Sequence, residues 1–162
     1  MLGIYEDFPD TIHCAASFAY KTSKVSLQKA VLNTFYTINK EKYPLNDIAT
    51  TPTIACTVSF ECGIAEALTF NYMDDEELGK FKKILAKKNS FETLDFLCIA
   101  RYHAEGTGTK QKPLKFDHYM LRFNFHEKTM LILAYHEKGP QHILPEDFLK
   151  FTTRNIVKEL RK

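Results

Sequence analysis

Glu66 interrupts the apolar row Ile64, Leu68, Phe70 and Tyr72, on an expected strand face that it shares with Cys62. A carboxyl held against an apolar layer titrates high and can serve as a general acid or base, here beside a thiol. At the tip of a hairpin projecting past its sheet, the same residue is simply a solvated carboxylate. Cys62 has no base or orienting partner at a recognisable spacing, so a Cys–His nucleophile would start from the thiol alone. Glu66 and Cys62 are the candidate catalytic residues.

Histidine supplies the next pattern. His126-Glu127-Lys128 and His136-Glu137-Lys138 recur ten residues apart. Neither continues into HExxH, and both fall at expected strand ends, whereas zinc needs three or four converging ligands. No metal site and no cofactor is expected. Six histidines nevertheless permit pH sensitivity, since full protonation raises the net charge from +2 to +8.

The segment Glu105 to Pro113, EGTGTKQKP, has the glycines and lysines of a phosphate loop but not the GxxxxGK[ST] spacing. It joins two strands, so no helix N-terminus points at an anion. Arg101, Lys110, Lys112, Lys115 and Arg122 still form a candidate polyanion surface. From Arg101 to Lys128 there are six basic residues against three acidic ones, a local +3.

The elements that must position these residues follow from periodicity. Residues 12–20 alternate as a strand, and Ser23 or Ser26 caps a helix with Leu27, Val31, Phe35 and Ile38 on one stripe. Ile54 to Cys62 alternates cleanly, Gly63 breaks the run, and Leu68, Phe70 and Tyr72 resume it as a hairpin. Asp74 and Glu77 open a second helix, whose acidic first turn and lysine-rich end complement the helix dipole. Strands near 92–104, 114–126 and 129–137 follow, then a helix with Pro145 at its first position.

This order, β-α-β-β-α-β-β-β-α, predicts an α+β two-layer sandwich in which three helices cover one face of a mainly antiparallel sheet of about six strands. Roadblock-like, profilin-like and helix-grip (TATA-binding-protein-like) folds have a comparable order. That analogy concerns topology and implies no function. A loop of odd length in the last hairpin would align Tyr119, Leu121, Phe123 and Phe125 with Leu131, Leu133 and Tyr135. With Phe18, Val58, Phe60, Leu68, Phe70, Phe96 and Tyr102 they are the expected core. The reverse face then holds His118, Met120, Arg122, Asn124 and His126 beside Met130, Ile132, Ala134 and His136. It is small and polar, and His118 and His136 approach each other on it.

Composition bounds the rest. A chain of 162 residues, 44% hydrophobic and 26% charged, supports one globular domain spanning 1–162. Thirteen Phe and eight Tyr accompany no Trp. On the expected strands most of these rings point into the core, which disfavours a base-stacking sheet face. The acidic N-terminus is unlike a signal peptide, and no apolar run approaches the ~18 residues of a membrane span. Cys14, Cys56, Cys62 and Cys98 lie in apolar rows without a CxxC pair, as reduced thiols of a cytosolic protein do. Cys56 and Cys62, six apart on one strand, would be roughly 20 Å distant and cannot bridge.

No catalytic constellation emerges. The leading expectation is a non-catalytic cytosolic binding or assembly module, without a membrane association, acting on a protein partner or on itself as a homo-oligomer through its sheet face or edge. Nucleic-acid or polyanion binding through 101–128 is the alternative. A small-ligand or enzymatic pocket between sheet and helices is the third.

Overall fold

Period-two alternation becomes strand along this chain, and apolar stripes at three-to-four spacing become helix. A computed structural model describes residues 1–52, 54–104 and 115–162. Its elements are β1 (Cys14–Ala19), α1 (Lys24–Ile38), β2 (Lys42–Pro44), β3 (Cys56–Glu66), β4 (Thr69–Tyr72), α2 (Asp75–Ala86), β5 (Thr93–Ala104), β6 (Asp117–His126), β7 (Thr129–Lys138) and α3 (Pro145–Leu160). The helix starts obey their local chemistry. Ser23 Oγ accepts from Ser26 N at 3.1 Å and Asp74 Oδ1 from Glu77 N at 3.0 Å, while Pro145 opens α3. The short β2 and the single helical turn Leu45–Asp47 are additions to the expected order, three residues each. That length is too short for periodicity to reveal.

The sheet runs β1-β7-β6-β5-β3-β2, with β4 also paired to β3, and every strand pair is antiparallel. It curls around α3. On that helix Val157 shares a groove with Ala16 and Phe18 of β1, while Phe151 meets Tyr43 of β2 with ring centroids 4.9 Å apart. One helix thus reaches both margins of the sheet. Helix α1 packs beside α3 on the same face, and α2 packs on α1. Between the layers Phe35 stacks on Phe96 at 4.1 Å, and Phe60 lies 5.6 Å from both Phe148 and Phe151. The aromatic excess is therefore mostly core.

The last hairpin departs from expectation. Its turn is the two residues Glu127 and Lys128, with Lys128 at φ +66°, and Phe125 pairs with Met130, Phe123 with Ile132 and Leu121 with Ala134. Met130, Ile132 and Ala134 are consequently buried in the core, and Leu131, Leu133 and Tyr135 lie half-buried on the reverse face. A change of one residue in loop length flips every side chain of a strand. The expected polar face is therefore partly apolar. The β4 row is corrected too: Leu68 is 57% and Tyr72 49% exposed, and Phe70 and Tyr72 pair with Ala65 and Gly63, which puts them on the reverse face, Phe70 with its ring 4.7 Å from Tyr5.

The N-terminal segment forms a further layer on that reverse face. Beyond Cys62 and Cys98 the strands β3 and β5 splay, and Gly3 enters the gap, its N–H donating to Ala65 O (2.8 Å) and its carbonyl accepting from Asp95 N (2.6 Å). With φ at +84° and a Cβ placed 2.9 Å from Leu94, only glycine fits there. The chain continues past Tyr5 and Phe8 to His13, whose N–H reaches Ala134 O on β7. It is a strap laid across the sheet.

Candidate functional site

The expected catalytic pair is not assembled. Glu66 is exposed at the β3–β4 tip, where Asn71 donates to its Oε2 at 3.0 Å and Lys80 lies 3.7 Å away. No apolar layer covers it. Cys62 is fully buried, and its cross-strand partner is Cys98, also fully buried. Burial first, and then the hydrogen bond that the Cys98 thiol makes to Cys62, push the Cys98 thiol well above its ordinary range. Both thiols are packed in the core.

Of the expected polyanion residues, Lys110 and Lys112 lie outside the described residues, and Lys115 is exposed. The two arginines are already engaged. Arg101 pairs with Glu61 at 2.8 Å and sits over the Phe116 ring. Arg122 grips fully buried Asp95 in a bidentate pair, Nε to Oδ1 at 2.8 Å and Nη2 to Oδ2 at 2.7 Å, and lies 4.3 Å from the Phe8 ring. Tyr5 N donates to the same carboxylate at 2.7 Å. Arg122 and Asp95 therefore hold the strap in place, and the pairing keeps the guanidinium charged.

The four residues assigned to the polar face also part company. His118 stays on the reverse face, where burial, and then Lys138, lower its pKa. Asn124 accepts from Thr93 Oγ1 at 3.0 Å, and His126 is exposed at the far end. His136 is on the helix side instead, its Nε2 2.8 Å from Asp117 Oδ1 and its ring against Tyr119. The hairpin register puts it there.

Asp117 is fully buried and accepts four contacts: Gln141 N at 2.6 Å and His136 on Oδ1, His142 N at 2.9 Å and the Tyr102 hydroxyl on Oδ2. This ties down the loop leading into α3. Gly139 in that loop has φ +115°, and a Cβ there would stand 2.2 Å from Phe116 O. On the reverse face Ser59 Oγ, half-buried, lies 2.8 Å from Nε2 of exposed His103. A serine nucleophile needs its base oriented by a third group, which no described residue supplies. Among the described residues no cluster of three His, Cys, Asp or Glu side chains could hold a metal ion.

What the fold does present is an open sheet edge. Tyr20 N donates to Lys128 O at 3.0 Å, extending the β1–β7 register by one pair and setting its parity. Cys14, Ala16 and Phe18 therefore bond to β7, and Ala15, Ser17 and Ala19 turn their N–H and C=O groups away from the sheet. Their side chains are exposed as well. Within its six residues, CAASFA, the strand contains no proline and no charge. The opposite margin is different: β2 has three residues including Pro44, and β4 has four. Short strands and proline are how sheets blunt their edges, and β1 has neither.

Beside this edge three contiguous depressions run along β1, α1, the β6–β7 turn and α3. The one of about 470 Å³ is bordered by Ala16, Phe18, Val157 and Lys158, and the one of about 560 Å³ continues past Phe18 towards Lys21 and Lys29. Eight basic side chains line the three against two acidic ones, Glu127 and Glu159, a local +6 in a chain whose total is +2. Glu159 is itself bonded by Lys162 at 2.8 Å. Sequence reasoning passed over this surface, although Arg154, Lys158 and Arg161 recur at helical spacing and are all exposed. The other cations come from separate segments.

Fold and site together define an α+β protein with a curled antiparallel sheet, strapped on its outer face and, among the described residues, open along β1. No family model matches the chain, and comparison with curated proteins and with solved structures finds no match. Among the described residues, no helix is long and apolar enough to cross a membrane.

Proposed function

We propose that the protein is a non-catalytic binding module that takes its partner by strand addition along β1. The observation that carries this reading is the contrast between the two margins of one sheet, blunted at β2 and β4 and unguarded at β1. An added strand gains main-chain hydrogen bonds from Ala15, Ser17 and Ala19, and its alternate side chains enter the grooves beside Phe18 and Val157.

The test is selection from a random peptide library, with the binders mapped by amide hydrogen exchange. Strand addition slows exchange at Ala15, Ser17 and Ala19, which exchange fast in the free protein. Binders that leave these three amides untouched would remove the reading.

Polyanion binding is the second reading. The cations around β1 favour it better than the 101–128 region does, since Arg101 and Arg122 are spent on Glu61 and Asp95. Retention on heparin that disappears on reversing Lys158 and Arg161, without any change in β1 exchange, would establish it instead.

A further inference from the structure

Taking strand addition at β1 as given, the choice of partner turns on charge. A second copy is the simplest occupant of an open edge, because a two-fold axis through the middle of β1 would join two sheets into one. That arrangement sets α3 beside α3 of the other copy. Arg154, Lys158 and Arg161 line the groove on one side of β1, and no acidic residue lines that groove. A two-fold would therefore bring the cations nearest its axis close to their own copies, which costs free energy rather than gaining it, while at the Cys14 end Glu146 and Lys150 both act on the strand. Towards the Tyr20 end the surroundings remain basic, with Lys21 and Lys29 in the adjoining depression. The helix dipole suits cations in the last turn of α3, and Arg154, further upstream, donates to Asp47 O at 3.1 Å.

We infer that the partner is an acidic segment in extended conformation, whose backbone pairs with β1 and whose carboxylates meet Lys158, Arg161, Lys21 and Lys29. In a strand, every second side chain points the same way, about 7 Å apart. A segment alternating carboxylate with small apolar residues places one set over the basic helix face and the other on the open side of the sheet. The grooves have apolar floors, Ala16, Phe18 and Val157, beneath cationic rims. They accept the aliphatic stem of a glutamate with its charge at the rim.

The probe is a capped peptide alternating glutamate and valine, long enough to span the six residues of β1. Its controls are the same peptide with lysine for glutamate, the same peptide N-methylated at every second residue, and heparin. The acidic peptide should bind and slow exchange at Ala15, Ser17 and Ala19. The lysine version should bind at least about tenfold more weakly, as expected for several exposed ion pairs exchanged for repulsions. N-methylation on the pairing side should abolish binding with no change to the protein. Lys158→Glu combined with Arg161→Glu should reverse the preference between the two peptides.

Equal binding of the acidic and basic peptides, with protection at β1, would overturn the acidic partner while leaving strand addition standing. Absence of β1 protection with either peptide would remove strand addition itself. Tight acidic-peptide binding that survives N-methylation, or that heparin reproduces, would mean a polyanion surface and no added strand. A dimer by light scattering that dissociates on reversing Lys158 and Arg161 would assign the edge to a second copy.

Discussion

The carboxylate of Asp117 ties down the loop that leads into α3, and so it gives a sharp test of the fold behind the site. Its two oxygens divide the work: Oδ1 serves Gln141 N and His136, and Oδ2 serves His142 N and Tyr102. Asp117→Asn replaces one of them with an amide NH₂. If nitrogen takes the Oδ2 place, Tyr102 can turn its hydroxyl and accept, but His142 N is left facing a donor. If it takes the Oδ1 place, His136 can present its unprotonated nitrogen, and Gln141 N is left instead. Either way one buried backbone N–H loses its acceptor, at about 1–3 kcal/mol, and the surviving bonds lose their charge assistance.

The expected loss for Asp117→Asn is about 3 kcal/mol. Urea unfolding measures it as a fall in midpoint at constant slope, accompanied by roughly 6–12 °C in Tm for a chain of this size. Asp117→Ala leaves both backbone N–H groups unserved, so it should cost more. A loss below about 1 kcal/mol for Asn, or equal losses for Asn and Ala, would refute this account of the loop.

Other expectations follow from the same geometry. Arg122→Met leaves Asp95 charged, buried and without its counter-ion, costing about 3–5 kcal/mol and exposing residues 1–13 to limited proteolysis; pairing it with Asp95→Leu should recover most of the loss. Gly139→Ala forces a Cβ onto Phe116 O at a positive φ and should destabilise by about 2–4 kcal/mol in the same urea assay. His118 has a folded pKa below its ordinary 6.5, so the unfolded chain binds more protons and stability falls as the pH drops through and below that value; His118→Gln should flatten this part of the stability–pH curve. Tyr102 is pushed the other way, chiefly by burial, so stability falls above the ordinary phenol value of 10.0, and Tyr102→Phe should reduce that alkaline loss.

Those elements that announce themselves locally were legible from the sequence. Ser23, Asp74 and Pro145 open the helices they seemed to open, and the alternation in Cys56–Cys62 is a core strand. What misled was a turn without a turn signal. Glu127-Lys128 has no Asn-Gly or Asp-Gly, and it is a lysine that takes the left-handed conformation, so the loop length could not be read and the faces of β7 were inverted. With them went His136, which belongs to Asp117 rather than to His118. The strap was invisible for a different reason. Residues 2–8 have no periodicity of their own, and their partners, Ala65, Asp95 and Arg122, lie far along the chain.

Strand order decides where the chemistry falls, and strand order is a long-range property. Cys14–Ala19 reads as a half-buried strand whether it ends up central or marginal, and its small uncharged residues would be unremarkable in the middle of the sheet. Placed beside β7 alone, the same residues become the one long margin with no blunting device in its strand among the described residues. The protein's near-neutral charge hides the consequence in the same way. Local excesses of +6 around β1 and a total of +2 require the remaining surface to be net acidic. An acidic partner is then drawn to this margin and repelled from the rest of the molecule. Such a partner should associate with a rate that falls with salt, because steering comes from the uneven distribution and not from net charge. An association rate insensitive to ionic strength would show that the cations beside β1 serve only the helix they sit on.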